Sequence, residues 1–389
     1  MATITTKDVE NSIATPVIGL TFFAIASGFL MSLLPLSLPY FNLPQSLTPW
    51  LASVFYFGLL LGATCIQRFI KKLGHRRALA LFLSLVAATV LVMIALPHQV
   101  TWLLARFVAG MAVAGVFVVV ESWLLMANCA KQRAKRLGIY MAALYGGSAV
   151  GQLAISVFGT QGLLPFCGVL TLLFAATLAP LLIHKGQPNS LEQQSISRKE
   201  VRYINRPAII GCIVSGLLLG PIYGLMPSYL THVSQYGHYT GLLMACIIVG
   251  GMAVQPIAST LSTRMSKSLL MALFCLLGCA AVLGILESTS VMMLAASMAL
   301  LGACSFALYP IAITLACDHL PAEKMVSATE MMLLCYSVGS VLGPLMATTF
   351  TEASNGLIVY LGVCLLATSI YMLFKSAETL PSGQKPIAG

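Results

Sequence analysis

Three ionisable side chains, Arg106, Glu121 and Glu330, fall inside long apolar runs of a 389-residue chain of which only 8% is charged. Ions are costly in an apolar medium, so such residues are kept where they pair, bind a substrate or exchange a proton. A poorly solvated carboxyl holds its proton more firmly than one in water. Glu121 and Glu330 are therefore the proton-coupling candidates. Arg106 keeps its charge throughout and suits an anionic substrate group or a conformational partner. Each also has a structural alternative: a backbone-bonded or snorkelling Arg106, a hydrogen-bonded Glu121, an interfacial cap or gate at Glu330. Arg106 and Glu121 are fifteen residues apart on one predicted helix. They lie about 60° apart around its axis and about 22 Å apart along it. They share a broad face, with Gly110, Val113 and Phe117 between them, and cannot pair directly.

The elements that must position these residues are membrane helices. The chain is 59% hydrophobic with a mean hydropathy of +0.93, whereas soluble domains are about 25% charged. Spanning helices of about 20 apolar residues are predicted over 14–38, 48–69, 78–96, 101–127, 137–159, 163–183, 207–230, 240–261, 269–286, 290–316, 326–350 and 355–374. With both termini on the cytoplasmic side, 20 of the 21 Lys and Arg residues fall in inside loops or tails, as the positive-inside rule requires. Arg106, within a helix, is the exception. This topology accounts for the net charge of +10 without nucleic acid. Trp50 and Trp102 fall at predicted outer boundaries and read as interfacial belt residues.

The sequence repeats. Shifted by 192 residues, Gly28 meets Gly220, Pro35 meets Pro227, Gly58 meets Gly250, and Gly147, Gly151 and Phe158 meet Gly339, Gly343 and Phe350. Six helices per repeat give both halves the same orientation. The expected fold is an all-α membrane protein with twelve transmembrane helices in two parallel pseudo-symmetric six-helix bundles. Residues 1–184 form the first bundle, 185–206 a basic cytoplasmic linker, and 207–389 the second bundle. The counterparts of Arg106 and Glu121 are Met298 and Ile313, and that of Glu330 is Gly138, so the charged chemistry is concentrated in the first half of the repeat.

The eleven cysteines lack zinc spacing and read as small apolar packers. The histidines lie at loops or helix ends, and no hydrolytic triad, metal cluster or phosphate loop is present. The expectation is a non-enzyme without cofactor or metal, embedded in lipid, with no nucleic acid and no obligate protein partner.

Two parallel six-helix halves joined by a basic loop resemble the major facilitator superfamily. The stretch Gln67-Arg-Phe-Ile-Lys71-Lys72-Leu-Gly74-His-Arg76-Arg77 resembles the family's signature between helices 2 and 3. It keeps Gly74 and the basic residues but has Lys71 where the family has aspartate. The second-half equivalent around Arg264 has Thr263 at the acid position. Lys71, Gly74, Arg76 and Arg264 are accordingly the gating-loop candidates, and the family's acidic lock is in doubt in both halves. Arg106-Phe-Val-Ala-Gly110 resembles the family's RxxxG motif. The longer string RFVAGMAVAGVFVVVES, with PIYGLMP and YSVGSVLGP, is similar to YcaD-type bacterial transporters. Gly147-x-x-x-Gly151 is followed by Gln152, where the family's drug antiporters usually carry proline.

The resemblance implies that the Arg106–Glu121 stripe faces a central cavity. It makes Tyr145, Gln152, Tyr223 and Tyr309 cavity or substrate candidates, each with helix packing as the alternative. The implied function is secondary transport of a small organic solute across the bacterial cytoplasmic (inner) membrane by alternating access, with protons as the coupling partner. The alternatives are an uncoupled uniporter of the same fold and a non-transporting membrane receptor or scaffold.

Overall fold

The computed structural model describes residues 13–125, 130–182, 205–232, 235–318, 322–350 and 355–379. Among them, twelve helices are long and apolar enough to cross a membrane. These are α1 (Ala14–Ser37), α2 (Gln45–Ala63), α3 (Lys72–Ala95), α4 (Gln99–Leu124), α5 (Lys135–Phe158), α6 (Leu164–Leu182), α7 (Arg206–Gly224), α8 (Gly237–Ser262), α9 (Lys267–Leu286), α10 (Val291–Cys317), α11 (Met331–Thr348) and α12 (Gly356–Glu378). In lipid every backbone polar group must be satisfied within the protein, and helices achieve this segment by segment. Large apolar side chains such as Leu104, Phe174 and Met292 remain exposed along these helices, as expected where the solvent is hydrocarbon.

The chain packs as two compact units. One comprises Met1–Leu43 and Phe57–Gln194, the other Pro44–Tyr56 and Ser195–Gly389. The first part of α2 thus groups with the second unit, where Ala52 occupies the space that a Cβ on Gly224 would need. The predicted linker, 185–206, lies almost wholly outside the described residues.

The 192-residue repeat is written into the packing. In the first unit Gly28 meets the backbone of Ser148, Gly151 that of Ile25, and Gly58 that of Phe107. In the second, Gly220 meets Ser340, Gly343 meets Leu217, and Gly250 meets Ala299. Each second-unit partner is its first-unit counterpart shifted by the same interval. At these crossings the backbones approach closer than any side chain would permit, which is the role of small residues in membrane helix packing.

Three local features depart from the expectations. The helix runs on without interruption from α2 through residue 73, and its one break is at Gly74, in the first turn of α3, with φ 76° and ψ 158°. Only glycine takes that conformation without strain. The helix containing α5 carries a π-turn at Ala142–Gly146. Trp102 is fully buried rather than interfacial: its Nε1 donates to the Met93 carbonyl at 2.9 Å and its ring packs edge-on to Phe41. A short α3–α4 connection folds the indole back over α3, where the backbone supplies its acceptor. Trp50, in contrast, is exposed.

The glycines make opposite predictions. Gly250→Ala drives a Cβ into the Ala299 backbone and should lower unfolding stability by about 1–3 kcal/mol, the usual cost of overpacking. Gly138 has open space around its Cβ position and lies in a helix, so Gly138→Ala should raise stability by about 0.5–1 kcal/mol. Denaturation of the two purified variants in one detergent checks both signs.

Candidate functional site

On α4 the predicted stripe is continuous but not uniformly open. Gly110 and Val113 are buried, and Phe117 packs edge-on to Phe23 of α1, with ring centroids 6.0 Å apart. The stripe's middle is therefore turned toward α1. Its ends emerge: Arg106 is half-buried and Glu121 is exposed on the unit. Glu121 Oε1 accepts a hydrogen bond from Tyr140 Oη at 2.8 Å, and the Tyr140 side chain is buried. The phenol fixes one carboxyl oxygen.

Tyr140 stands just before the π-turn, and the half-buried Tyr145 lies within it. Such turns insert one residue into a helix and are frequent at functional sites. Here the turn separates the Tyr140 face of α5 from the Gly147–Gly151 face that packs on α1. Gln152 belongs to the second of these. It is wholly buried, with Oε1 accepting from Ser32 Oγ at 2.6 Å and Nε2 reaching Met31 Sδ at 3.5 Å. The structure thus places Gln152 between α1 and α5, not on an open face of the unit, because the close approach at Gly151 encloses its neighbour.

In the second unit, Tyr223 of α7 meets Phe306 of α10 edge-on at 5.8 Å, and Tyr309 of α10 meets Tyr336 of α11 at 5.1 Å. Phe306 and Tyr309 are one turn apart on the same helix. The three tyrosines are half-buried. Together they form an aromatic face with hydroxyl groups and no charge.

At the ends of the units that carry the basic loops, the repeat again aligns two fasteners. His75, buried next to Gly74, places Nε2 3.1 Å from Ser122 Oγ and its ring edge-on to Trp123. Ser122 Oγ donates to the Val119 carbonyl at 3.0 Å, so the imidazole N–H is the donor to the serine. The counterpart of His75 is Lys267, whose Nζ lies 2.6 and 2.7 Å from the two carboxylate oxygens of Asp318. Each fastener joins the start of the third helix of its unit to the end of the fourth. Arg76 is half-buried and Arg264 exposed. The side chains of Lys71 and Glu330 lie outside the described residues.

Tyr140, Tyr336, His75 and Asp318 are the residues that sequence reasoning missed. Tyr336 begins the YSVGSVLGP string and was legible as an aromatic on the glycine-bearing helix. The pairing of Tyr140 with Glu121 spans two helices and leaves no periodic signal.

A bundle of spanning helices with internal duplication, with ionisable and aromatic side chains on its helix faces, is the architecture of a polytopic membrane transporter. The chain belongs to the Major Facilitator Superfamily, whose family model matches residues 17–344. It is 30% identical over 374 residues to an uncharacterised MFS-type transporter of Enterobacter sp. (strain 638), covering 94% of this chain and 95% of that one. It is 31% identical over 335 residues to the uncharacterised MFS-type transporter YcaD of Escherichia fergusonii, covering 84% and 85%. Among solved structures it resembles the nucleoside transporter NupG, with a TM-score of 0.73, 13% identity and coverage of 94% of this chain and 97% of that one. It also resembles a bacterial homologue of the human lysosomal transporter Spinster in an inward-facing and occupied conformation, with a TM-score of 0.72, 13% identity and coverage of 94% of each chain. At that identity the two structures speak to the fold alone. The protein is thus an integral multi-pass membrane transporter.

The two fasteners should respond differently to salt. Lys267→Gln removes a partly exposed ion pair and should cost up to about 1 kcal/mol at low salt, less as salt rises. Ser122→Ala removes a hydrogen bond from a buried ring and should cost about 1 kcal/mol at any salt concentration. Thermal unfolding at two ionic strengths separates them.

Proposed function

We propose that this protein is a secondary active transporter that moves a small organic solute across the bacterial cytoplasmic membrane by alternating access, with a proton bound and released at Glu121. The observation that carries this reading is the Tyr140–Glu121 hydrogen bond. It holds an exposed carboxyl in a fixed position between α4 and α5, on a helix otherwise almost free of charge. In this reading Arg106, on the same stripe, attracts the charged part of a substrate. The aromatic face of Tyr223, Tyr309 and Tyr336 receives an apolar or ring-shaped part. Tyr145 stands beside the proton site, Gln152 holds α5 to α1 behind it, and Glu330 is a second proton-coupling candidate.

The orientation that supports this reading places both termini in the cytoplasm, so that the loops bearing Lys71, Gly74, Arg76 and Arg264 face inward and act as gating loops. The anionic inner leaflet attracts such basic loops. The solute and the proton are the partners, and the family membership supports a transport role without an enzyme's chemistry or a cofactor.

Proteoliposomes with an imposed proton gradient test the assignment once a solute has been found by ligand-induced thermal stabilisation. Glu121→Gln should abolish gradient-driven accumulation and spare binding, measured as the same thermal shift. Transport that is unaffected by the gradient in wild type and unchanged in the variant would mean an uncoupled uniporter, with Glu121 structural.

A further inference from the structure

We infer that the end of the second unit opposite its basic loops carries a binding site for an uncharged, hydroxyl-bearing small molecule. A cavity of about 240 Å³ opens there, with Tyr229, Gln235, Tyr236, Ser288 and Asn355 among its lining. Its apolar wall comes from Ile285, Leu286 and Leu294. These residues come from all three helical turns at that end of the unit: the α7–α8 turn, the α9–α10 turn and the α11–α12 turn. No single turn could form the pocket, and a ligand within it would touch three helical hairpins at once.

The lining sets the ligand's chemistry. Two amides, two phenols and a serine hydroxyl present donors and acceptors side by side. No Asp, Glu, Lys, Arg or His is among the described lining residues, so a charged ligand would lose hydration without a counter-charge to replace it. A molecule with alternating hydroxyls and C–H faces matches both the polar groups and the aliphatic wall. The volume lies below the about 300–1,000 Å³ of sites for drug-sized ligands, which limits the occupant to about one small ring.

The polar groups are also held in place. Tyr229 Oη donates to Asn355 Oδ1 at 3.0 Å, linking the α7–α8 and α11–α12 turns and orienting the asparagine amide. Burial pushes the Tyr229 phenol above its ordinary range, so it stays a protonated donor. Ser288 Oγ donates to the Ile285 carbonyl at 2.9 Å and keeps its lone pairs as acceptors. No residue of α4, the helix that carries Glu121 and Arg106, lines the pocket, and the inference does not depend on the proton assignment.

Saturation-transfer NMR on the full chain in lipid nanodiscs tests it, with glucose, ribose and myo-inositol as neutral probes and gluconate and glucosamine as charged ones. At least one neutral probe should bind saturably and more tightly than both charged ones. Asn355→Leu, at a half-buried residue, should weaken that binding by about tenfold, and Gln235→Leu, at an exposed one, by about threefold. Should either variant fail to fold, Ser288→Ala supplies the same comparison. The inference is overturned if no neutral probe saturates up to about 50 mM, well beyond a millimolar dissociation constant. Charged probes that bind as tightly as neutral ones, or binding that survives the substitutions, overturn it equally.

Discussion

The closest approaches in this protein are between backbones, and the fold depends on them. Lipid tails are as apolar as leucine, so burying one more leucine between helices gains little in a bilayer. Contact between main chains is gained only where side chains are missing. Gly28, Gly58 and Gly151 supply that absence in the first unit, and Gly220, Gly250 and Gly343 supply it in the second. Their partners are main-chain atoms of Ser148, Phe107, Ile25, Ser340, Ala299 and Leu217, which cannot swing aside as a side chain would. These crossings fix the rotation of each helix about its axis and thereby decide which residues face a neighbour.

The polar chemistry follows from that rotation. With α5 drawn onto α1 at Gly151, Gln152 is enclosed and bonded to Ser32. With the π-turn one turn earlier, Tyr140 comes free of that interface and reaches Glu121. One helix therefore carries two unlike faces in succession: an amide that binds helices together and a phenol that fixes a carboxyl group. The second unit lacks this device. Its π-turn counterpart is regular helix, and Tyr223, Tyr309 and Tyr336 are half-buried on its helix faces.

Much of this was legible in the sequence, for physical reasons. Helix number follows from hydropathy because a spanning helix must be continuously apolar. The family follows from the glycine, proline and basic motifs, and the repeat from glycine matches that are rare by chance. What was hidden depends on a single residue's geometry. Nothing in the spacing marks Gly74 as the one break in the helix that runs from α2 into α3, since the lysines and arginines around it are good helix formers. The burial of Trp102 turns on where one indole N–H finds its acceptor. Gln152 read as a cavity residue because its polarity was visible and its enclosure by Gly151 was not. The Tyr140–Glu121 and His75–Ser122 pairs join separate helices, and pairing between helices has no period along a chain.

The pair-for-pair recurrence of the close approaches also makes the chain its own comparison set. The two halves make the same crossings while other positions differ. Where the copies still agree, the shared requirement is mechanical. Where they differ without a shared contact, as at Arg106 and Met298 or Glu121 and Ile313, the common packing does not fix the residue. Divergence between the halves of a single molecule thus marks the positions that the common packing leaves free to vary.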